Sequence, residues 1–214
     1  CAGARRQAGG AGWGFDRDAA VADVVVSRMA KLAKNIRVGD PEDADAERGP
    51  LGTRGQLDNV PARVALAQVE GGTVLCGGKQ PALGGLYYEP TIIDCPRQDM
   101  TIVDTELFGP VLAVQRFRTE AEALTLANDT QHGLAAGIFT RDSTRSLRMS
   151  KKIRAGIVWV NTYRAISPIA AFGGMKNSGY GRESGFQALH AYTRPKTVWM
   201  NMSDDPIANP FKPR

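Results

Sequence analysis

Cysteine and histidine are scarce in this chain. Its 214 residues include three cysteines, Cys1, Cys76 and Cys95, and two histidines. No two cysteines form a Cys-x-x-Cys pair, and their spacing fits no known set of metal ligands, so we expect no metal site. An odd number of widely separated cysteines is typical of a reducing compartment, and the expected location is therefore cytoplasmic.

Long apolar runs are also missing. No apolar stretch approaches the ~18 residues that a membrane-spanning helix requires, so we expect no membrane partner. Hydrophobic residues make up 43% of the chain, which is enough for a buried core, and the net charge is +5. The densest basic cluster runs from Arg141 to Arg154 on a predicted helix with polar spacers. We interpret it as a solvated helix face rather than a polyanion site, and expect no nucleic-acid partner.

Predicted strands and helices alternate through most of the chain. Apolar residues at helical spacing predict a helix from Arg54 to Glu70 whose inner face carries Leu57, Val60, Val64 and Ala67, with Pro61 causing a kink or a late start. Strands alternating with helices of about a dozen residues imply crossover connections. We therefore predict an α/β fold with a mostly parallel twisted sheet flanked by helices. The remaining predicted elements are a first helix that carries Val21 to Ile36 and ends at Gly39, extended structure around 88–93, strands over 73–76, 111–117, 135–140 and 156–161, and helices over 120–128, 142–153 and 183–192.

The two ends of the chain depart from this pattern. The stretch from Arg5 to Phe15 is rich in glycine and is predicted to be irregular, with Asp16 as a possible N-cap of the first helix. Near the other end, a single strand is predicted from Thr197 to Asn201, separated from the rest by Arg194-Pro195. A lone terminal strand pairs either with a partner subunit or with its own domain. The expected organisation is one domain over 1–193 and a strand with its tail over 194–214.

A carboxylate and an aromatic ring stand together before the strand that begins at Val111. In Glu106-Leu107-Phe108-Gly109-Pro110, Glu106 and Phe108 are two residues apart and would point the same way in an extended segment. The carboxylate could accept hydrogen bonds from sugar hydroxyls while the ring packs on a flat group. The alternative is a helix-capping Glu and a core Phe.

The window from Phe172 to Gly185 contains five glycines, so its backbone can approach another surface closely. It is not a dinucleotide fingerprint, because the spacing differs and no strand leads directly into it. The preceding segment, from Asn161 to Ala171, follows a predicted buried strand. Ligands in parallel α/β sheets bind at such carboxyl ends.

Taken together, these motifs resemble the aldehyde dehydrogenase superfamily. The resemblance extends from about Ile36 to Asn201 and rests on Glu-Leu-Phe-Gly-Pro-Val at 106–111, on Gly133-Leu134-Ala135-Ala136, and on the stretch from Phe172 to Gly185. It implies the catalytic domain of that family with a C-terminal oligomerisation strand. It also implies oxidation of a small aldehyde to a carboxylic acid with NAD or NADP as cofactor.

The resemblance also implies roles for individual residues. Cys1 matches the nucleophile, which forms a thiohemiacetal and then a thioester. Glu106 matches the carboxylate that holds the nicotinamide ribose, and Phe108 matches the aromatic beside the nicotinamide. The wall of the aldehyde tunnel matches Tyr163, Ile166 and Phe172, and the strand from Thr197 to Asn201 matches part of the arm through which the family forms homo-oligomers.

The sequence departs from the family in its first part. The family's cofactor-binding domain precedes its Cys, whereas this sequence begins at Cys1, which indicates a fragment, a processed product or a misplaced start. We therefore expect little dehydrogenase activity from the 214 residues alone. Two alternatives stay open: a non-catalytic remnant or interaction module of the same fold, and a hydrolase in which the terminal amine of Cys1 activates its own thiol.

Overall fold

The computed structural model of the protein describes residues 14–18, 22–205 and 209–212. At its centre lies a four-stranded sheet with the strand order β1-β4-β3-β2. Strands β1 and β3 run parallel to β4, and the edge strand β2 runs antiparallel to β3. The four strands are β1 (Gly14–Asp18), β2 (Thr73–Cys76), β3 (Thr91–Asp94) and β4 (Val111–Phe117).

Helix α2 (Arg54–Val69) covers one face of this sheet. The Thr53 hydroxyl caps its first turn by accepting a hydrogen bond from the Gln56 amide at 3.3 Å. The four residues predicted for its inner face, Leu57, Val60, Val64 and Ala67, are all buried. Because the helix begins at Arg54 and continues through Pro61, the prediction of a late start at the proline is wrong.

Helix α1 (Ala22–Asn35) covers the opposite face. Since side chains alternate along a strand, neighbouring residues of β3 and β4 face different helices. Ile93 and Ala113 belong to the core cluster of α2. Their neighbours Ile92, Leu112 and Val114 pack with Val26 and Ala33 of α1. A mostly parallel sheet that is covered by helices on both faces is an α/β arrangement and confirms the predicted fold class.

The second half of the chain contains two smaller pairs of strands. Strands β6 (Ala135–Ile138) and β7 (Ile157–Val160) are parallel and are connected by α5 (Ser143–Lys152). Strands β5 (His132–Gly133) and β8 (Met175–Lys176) are antiparallel. The other helices are α3 (Thr101–Asp104), α4 (Glu120–Asn128) and α6 (Leu189–Tyr192), and a 3₁₀ helix (Phe186–Ala188) lies directly before α6. Arg145 and Arg148 of the basic helix α5 both pair with Glu120, as expected of a solvated helix face.

The structure corrects the prediction for residues 14–16, near the start of the described chain. Gly14 and Phe15 are not irregular but belong to β1, and Asp16 pairs with Gln115 of β4 instead of capping a helix. Pairing along a whole neighbouring strand outweighs the low strand propensity of glycine. The predicted irregular residues 5–13 lie outside the described residues.

Residues 197–201 form no strand in the single chain. Val198, Trp199 and Met200 are 67%, 93% and 74% exposed. A strand needs a neighbour for its backbone hydrogen bonds, and the described part of this chain supplies none there. Among the described residues, no helix is long and apolar enough to cross a membrane.

Candidate active site

The segment 105–110 connects α3 to β4 and places Glu106 and Phe108 on either side of a buried residue. Leu107 between them is 7% exposed and belongs to the core cluster under α2. Glu106 is half-buried, and Phe108 is 53% exposed. Leu107 is therefore the core residue of the segment. The interpretation of Phe108 as a core phenylalanine is wrong.

The backbone of Phe108 is strained, because its φ is 49°. A non-glycine residue in this left-handed region costs roughly 1–2 kcal/mol and persists only where the surroundings fix it. Both following residues are fixed. A Cβ at Gly109 would lie 2.7 Å from Val60 Cγ2 of α2, and the Pro110 carbonyl accepts a hydrogen bond from the Thr91 amide at 2.8 Å. The backbone that carries this exposed aromatic ring is thus fixed at the amino end of β4.

The carboxylate of Glu106 is available as a hydrogen-bond acceptor. Burial raises its pKa above the ordinary value, and the charge of nearby His132 lowers it in partial opposition. Within the described ranges it makes no hydrogen bond or ion pair, so it does not cap a helix there. A half-buried acceptor forms stronger hydrogen bonds than one in open water.

Gln131 joins this segment to the glycine-rich window. Its Nε2 donates to Asp104 Oδ2 at the end of α3, over 3.3 Å. Its Oε1 accepts a hydrogen bond from Asn177 Nδ2 at 3.0 Å, and its carbonyl accepts one from the Asn177 amide at 3.0 Å. Since Asp104 lies two residues before Glu106, the window and the segment with Glu106 and Phe108 are neighbours.

The glycine-rich window is a closed loop that fixes the backbone of Phe172. Phe172 and Glu183 exchange two backbone hydrogen bonds, each 2.7 Å long. Inside the loop, Arg182 Nη1 donates to the carbonyls of Gly174 and Gly181, both at 2.8 Å. Gly156, just before β7, lies against the loop so closely that a Cβ would be 1.7 Å from the Gly173 carbonyl oxygen. The half-buried Phe172 therefore stands on a rigid backbone.

Tyr163 and Ile166 lie in the loop that follows β7, at the predicted carboxyl end. Trp159 of β7 holds this loop: its Nε1 donates to the Ala165 carbonyl at 2.8 Å, and its ring meets that of Tyr163 edge to face at 5.2 Å. Ile166 is 65% exposed. Trp159 was not among the residues predicted for the site. Its signal was an indole N–H in a predicted buried strand, which needs a partner nearby.

Two surface cavities lie elsewhere. One of about 560 Å³ at the carboxyl ends of β6 and β7 is lined by Phe139, Thr140, Arg141, Ser143, Ser146 and Asn161. Another of about 460 Å³ lies beside β3 and β4. Neither is lined by Glu106, Phe108, Tyr163, Ile166 or Phe172. In the described part of the chain these five residues lie outside both cavities, and no group of metal-ligating side chains is present.

The predicted nucleophile Cys1 lies outside the described residues. The other two cysteines, Cys76 and Cys95, are both buried. Burial raises the pKa of Cys76 and raises that of Cys95 to about 11. A buried thiol that does not ionise near neutral pH is a poor nucleophile, so neither residue can replace Cys1 in that role.

Comparison with known proteins identifies relatives of this chain. The sequence model of the aldehyde dehydrogenase family matches residues 18–198. The chain is 47% identical over 192 residues to (Z)-2-((N-methylformamido)methylene)-5-hydroxybutyrolactone dehydrogenase of Acinetobacter baylyi, covering 89% of this chain and 39% of that protein. The chain thus spans about two fifths of the length of the curated relatives it matches.

Solved structures agree with this assignment. A putative aldehyde dehydrogenase from Burkholderia cenocepacia superposes with a TM-score of 0.89 at 40% identity, over 96% of this chain and 43% of that one. A point mutant of betaine aldehyde dehydrogenase from Staphylococcus aureus, in complex with NAD+, superposes with a TM-score of 0.90 at 34% identity, over 94% and 42%.

Proposed function

Because the chain belongs to the aldehyde dehydrogenase family, we propose that it forms the catalytic-domain part of an NAD(P)-dependent enzyme that oxidises an aldehyde to a carboxylic acid. The catalytic part corresponds to residues 1–193, with an oligomerisation segment in 194–214. The relatives contain a further portion, about three fifths of their length, that these 214 residues do not match. We place the remaining cofactor contacts in a portion of that kind.

The segment with Glu106 and Phe108 carries the proposal. A nicotinamide nucleotide presents ribose hydroxyls, which donate hydrogen bonds, next to a flat ring. An available carboxylate and an exposed aromatic side chain on a fixed backbone fit these two groups. Glu106 would accept hydrogen bonds from the ribose, and Phe108 would pack beside the ring. A nicotinamide bound there would serve as the hydride acceptor.

Cys1 is the proposed nucleophile. Strand β1 begins at Gly14 opposite Ala113 and runs parallel to β4, so the chain enters the sheet at the end where Phe108 precedes β4. The Cys1 thiolate adds to the aldehyde carbonyl carbon and forms a thiohemiacetal. Loss of hydride from that carbon leaves a thioester. Water then attacks the thioester, which releases the carboxylic acid and regenerates the thiol.

The proposed substrate wall consists of Tyr163, Ile166 and Phe172. Two aromatic side chains and one aliphatic side chain favour an aldehyde with apolar surface next to its carbonyl. Their positions depend on the contacts of Trp159 and on the closed glycine-rich loop. This wall is only half-buried or exposed here, so we propose that its other side comes from the portion that the chain does not match.

A hybrid protein tests this function. The portion of the Acinetobacter baylyi relative that precedes its match to this chain would be joined to Cys1, and folding and NAD+ binding would be checked first. We expect NADH formation that depends on an aldehyde, and loss of this activity in Cys1→Ser. Glu106→Gln should raise the KM for NAD+ roughly three- to tenfold, because the amide oxygen still accepts a hydrogen bond but loses about half of the 1.5–3 kcal/mol that a bond to a charged group contributes.

The same assay can refute the proposal. A folded hybrid that binds NAD+ but turns over equally well without the Cys1 thiol would exclude Cys1 as the nucleophile. The 214-residue chain alone should show little turnover with NAD+ or NADP+, and turnover comparable to that of the hybrid would contradict the division of the site proposed above.

The segment 197–201 is the proposed contact with a second copy of the chain. Its exposed apolar side chains, Val198, Trp199 and Met200, and its lack of a neighbouring strand in the described part of the chain fit a strand that completes its pairing in an oligomer. Trp199→Glu should shift the chain towards monomer in sedimentation velocity. Phe211→Glu is the control, because Phe211 is equally exposed, at 91%, but lies outside the segment.

A further inference from the structure

Helix α3 begins without a cap from its own sequence. The residue at its start, Met100, is apolar and makes no side-chain hydrogen bond to the helix. The first amides of a helix have no partner within it and need one from outside. In a helix of four residues, most of the backbone amides have no partner within the helix. A hydrogen-bond partner from outside therefore decides whether the turn is stable.

Glu70 supplies that partner from the end of α2. Its Oε2 accepts a hydrogen bond from the Thr101 amide at 2.9 Å, and its Oε1 accepts one from the Thr101 hydroxyl at 2.6 Å. Both bonds join residues that are 31 positions apart. Both have a charged acceptor, and such bonds are roughly twice as strong as neutral ones.

From this cap a short path leads to the candidate site. The Thr105 amide donates to the Thr101 carbonyl at 3.0 Å, and Glu106 is the next residue. At the other end of the segment, Gly109 lies so close to α2 that an added Cβ would be 2.7 Å from Val60 Cγ2. The same helix therefore holds the segment at both ends, through Glu70 on one side and Val60 on the other.

We propose that Glu70 is a positioning residue that fixes the segment carrying Glu106 and Phe108 by capping α3 from the end of α2. It does not contact the reacting atoms. Its effect on the fold is independent of any ligand, and its effect on cofactor binding rests on the function proposed above.

Glu70→Gln in the 214-residue chain tests the proposal, because it removes the negative charge and keeps the shape of the side chain. Amide hydrogen exchange measured by NMR should become about tenfold faster at Thr105, whose amide donates to the Thr101 carbonyl and which directly precedes Glu106, once rates are compared with those of Val114 in the buried strand β4. Faster exchange throughout the chain in equal proportion would mean a general loss of stability and would overturn the proposal.

The pKa of Glu106 gives a second readout. If Glu70 only stabilised α3, its loss would leave this pKa unchanged. Partial burial raises the pKa of this carboxyl group. If the segment loosens in Glu70→Gln, the carboxyl carbon of Glu106 should titrate closer to the ordinary value of about 4.3. An unchanged titration together with unchanged local exchange contradicts the positioning role.

Glu122→Gln is the matched control. Glu122 Oε2 accepts a hydrogen bond from the Arg118 amide at 2.8 Å, so it also binds a backbone amide near a helix start, but at α4. This variant should lower stability without moving the resonances of the segment. If Glu70→Gln does not fold, Thr101→Val removes only the hydroxyl donor, and a smaller change in the same direction is required of it.

The hybrid enzyme separates this proposal from the proposed function. If Glu70 positions the segment and the segment binds the cofactor, Glu70→Gln loosens the segment and raises the KM for NAD+. If the segment loosens but the KM stays the same, the positioning role stands and the cofactor role of Glu106 is wrong.

Discussion

The strained backbone of Phe108 predicts the difference in the free energy of unfolding between two variants at this position. Phe108→Ala and Phe108→Gly both remove the ring, so the lost contacts cancel when the two variants are compared. At a φ of 49°, alanine retains the left-handed cost of roughly 1–2 kcal/mol, and glycine does not. Glycine loses about 0.5–1 kcal/mol more than alanine through its freedom in the unfolded chain. The glycine variant should therefore be more stable by roughly 0.5–1 kcal/mol, the difference between these two costs.

The order of the two variants should reverse at a control position. Leu83 is 58% exposed, close to the 53% of Phe108, and it is not among the residues with a positive φ. There we expect Leu83→Ala to be more stable than Leu83→Gly by about 0.5–1 kcal/mol. Denaturant unfolding with equal m-values gives both differences. If alanine is the more stable residue at position 108 as well, the strain inferred for this segment is not present in the protein.

Three other perturbations have defined outcomes. Gly156→Ala should lower the free energy of unfolding by about 3 kcal/mol, because the added Cβ would lie 1.7 Å from the Gly173 carbonyl oxygen. Gly55→Ala in α2 is the control. No atom lies within 4 Å of its added Cβ, so this variant should raise the free energy of unfolding by up to about 1 kcal/mol. Since burial raises the pKa of Glu106, the unfolded chain releases this proton at a lower pH than the native chain. The stability of the wild type relative to Glu106→Gln should therefore fall as the pH rises above about 4.3 and level off above the native pKa. A relative stability that rises over that window would contradict this order. Trp199→Glu should yield monomers at concentrations where the wild type associates, and an unchanged sedimentation coefficient would exclude the segment 197–201 from the interface.

Local periodicity was enough to predict the elements whose stabilising contacts recur along the sequence. The buried face of α2 follows from apolar residues three and four positions apart, and all four of its predicted members are buried. The parallel unit of β6, α5 and β7 follows from strand and helix patterns of the usual lengths. In these elements the sequence signal and the packing have the same cause.

Elements that depend on a distant partner could not be predicted in this way. Strand β1 forms because it pairs with β4, although the glycine-rich sequence of β1 indicates irregular structure. Residues 197–201 have a strand-like sequence but no neighbour in the described part of the chain. Pairing over long sequence separations leaves no periodic trace, so propensity was misleading for β1 and does not identify the partner of residues 197–201.

The candidate site shows the same division. The types of residue at 106 and 108 predicted an acceptor beside a flat group, and the family resemblance made that group a nicotinamide nucleotide. The left-handed backbone of Phe108 has no sequence signal, because bulky residues rarely adopt it. The cap from Glu70 to Thr101 spans 31 positions, and it became visible only in the folded chain.

The distance between Cys1 and the segment carrying Glu106 and Phe108 tests the central claim most directly. A thiol-reactive spin label should react selectively with Cys1, because Cys76 and Cys95 are buried. If Cys1 is the nucleophile, the label broadens the amide resonances of Glu106 and Phe108. It broadens that of Phe117 far less, because Phe117 lies at the other end of β4, about 20 Å from Val111. Stronger broadening at Phe117 than at Phe108, or none at either, would place the thiol away from the proposed cofactor contacts and contradict its assignment.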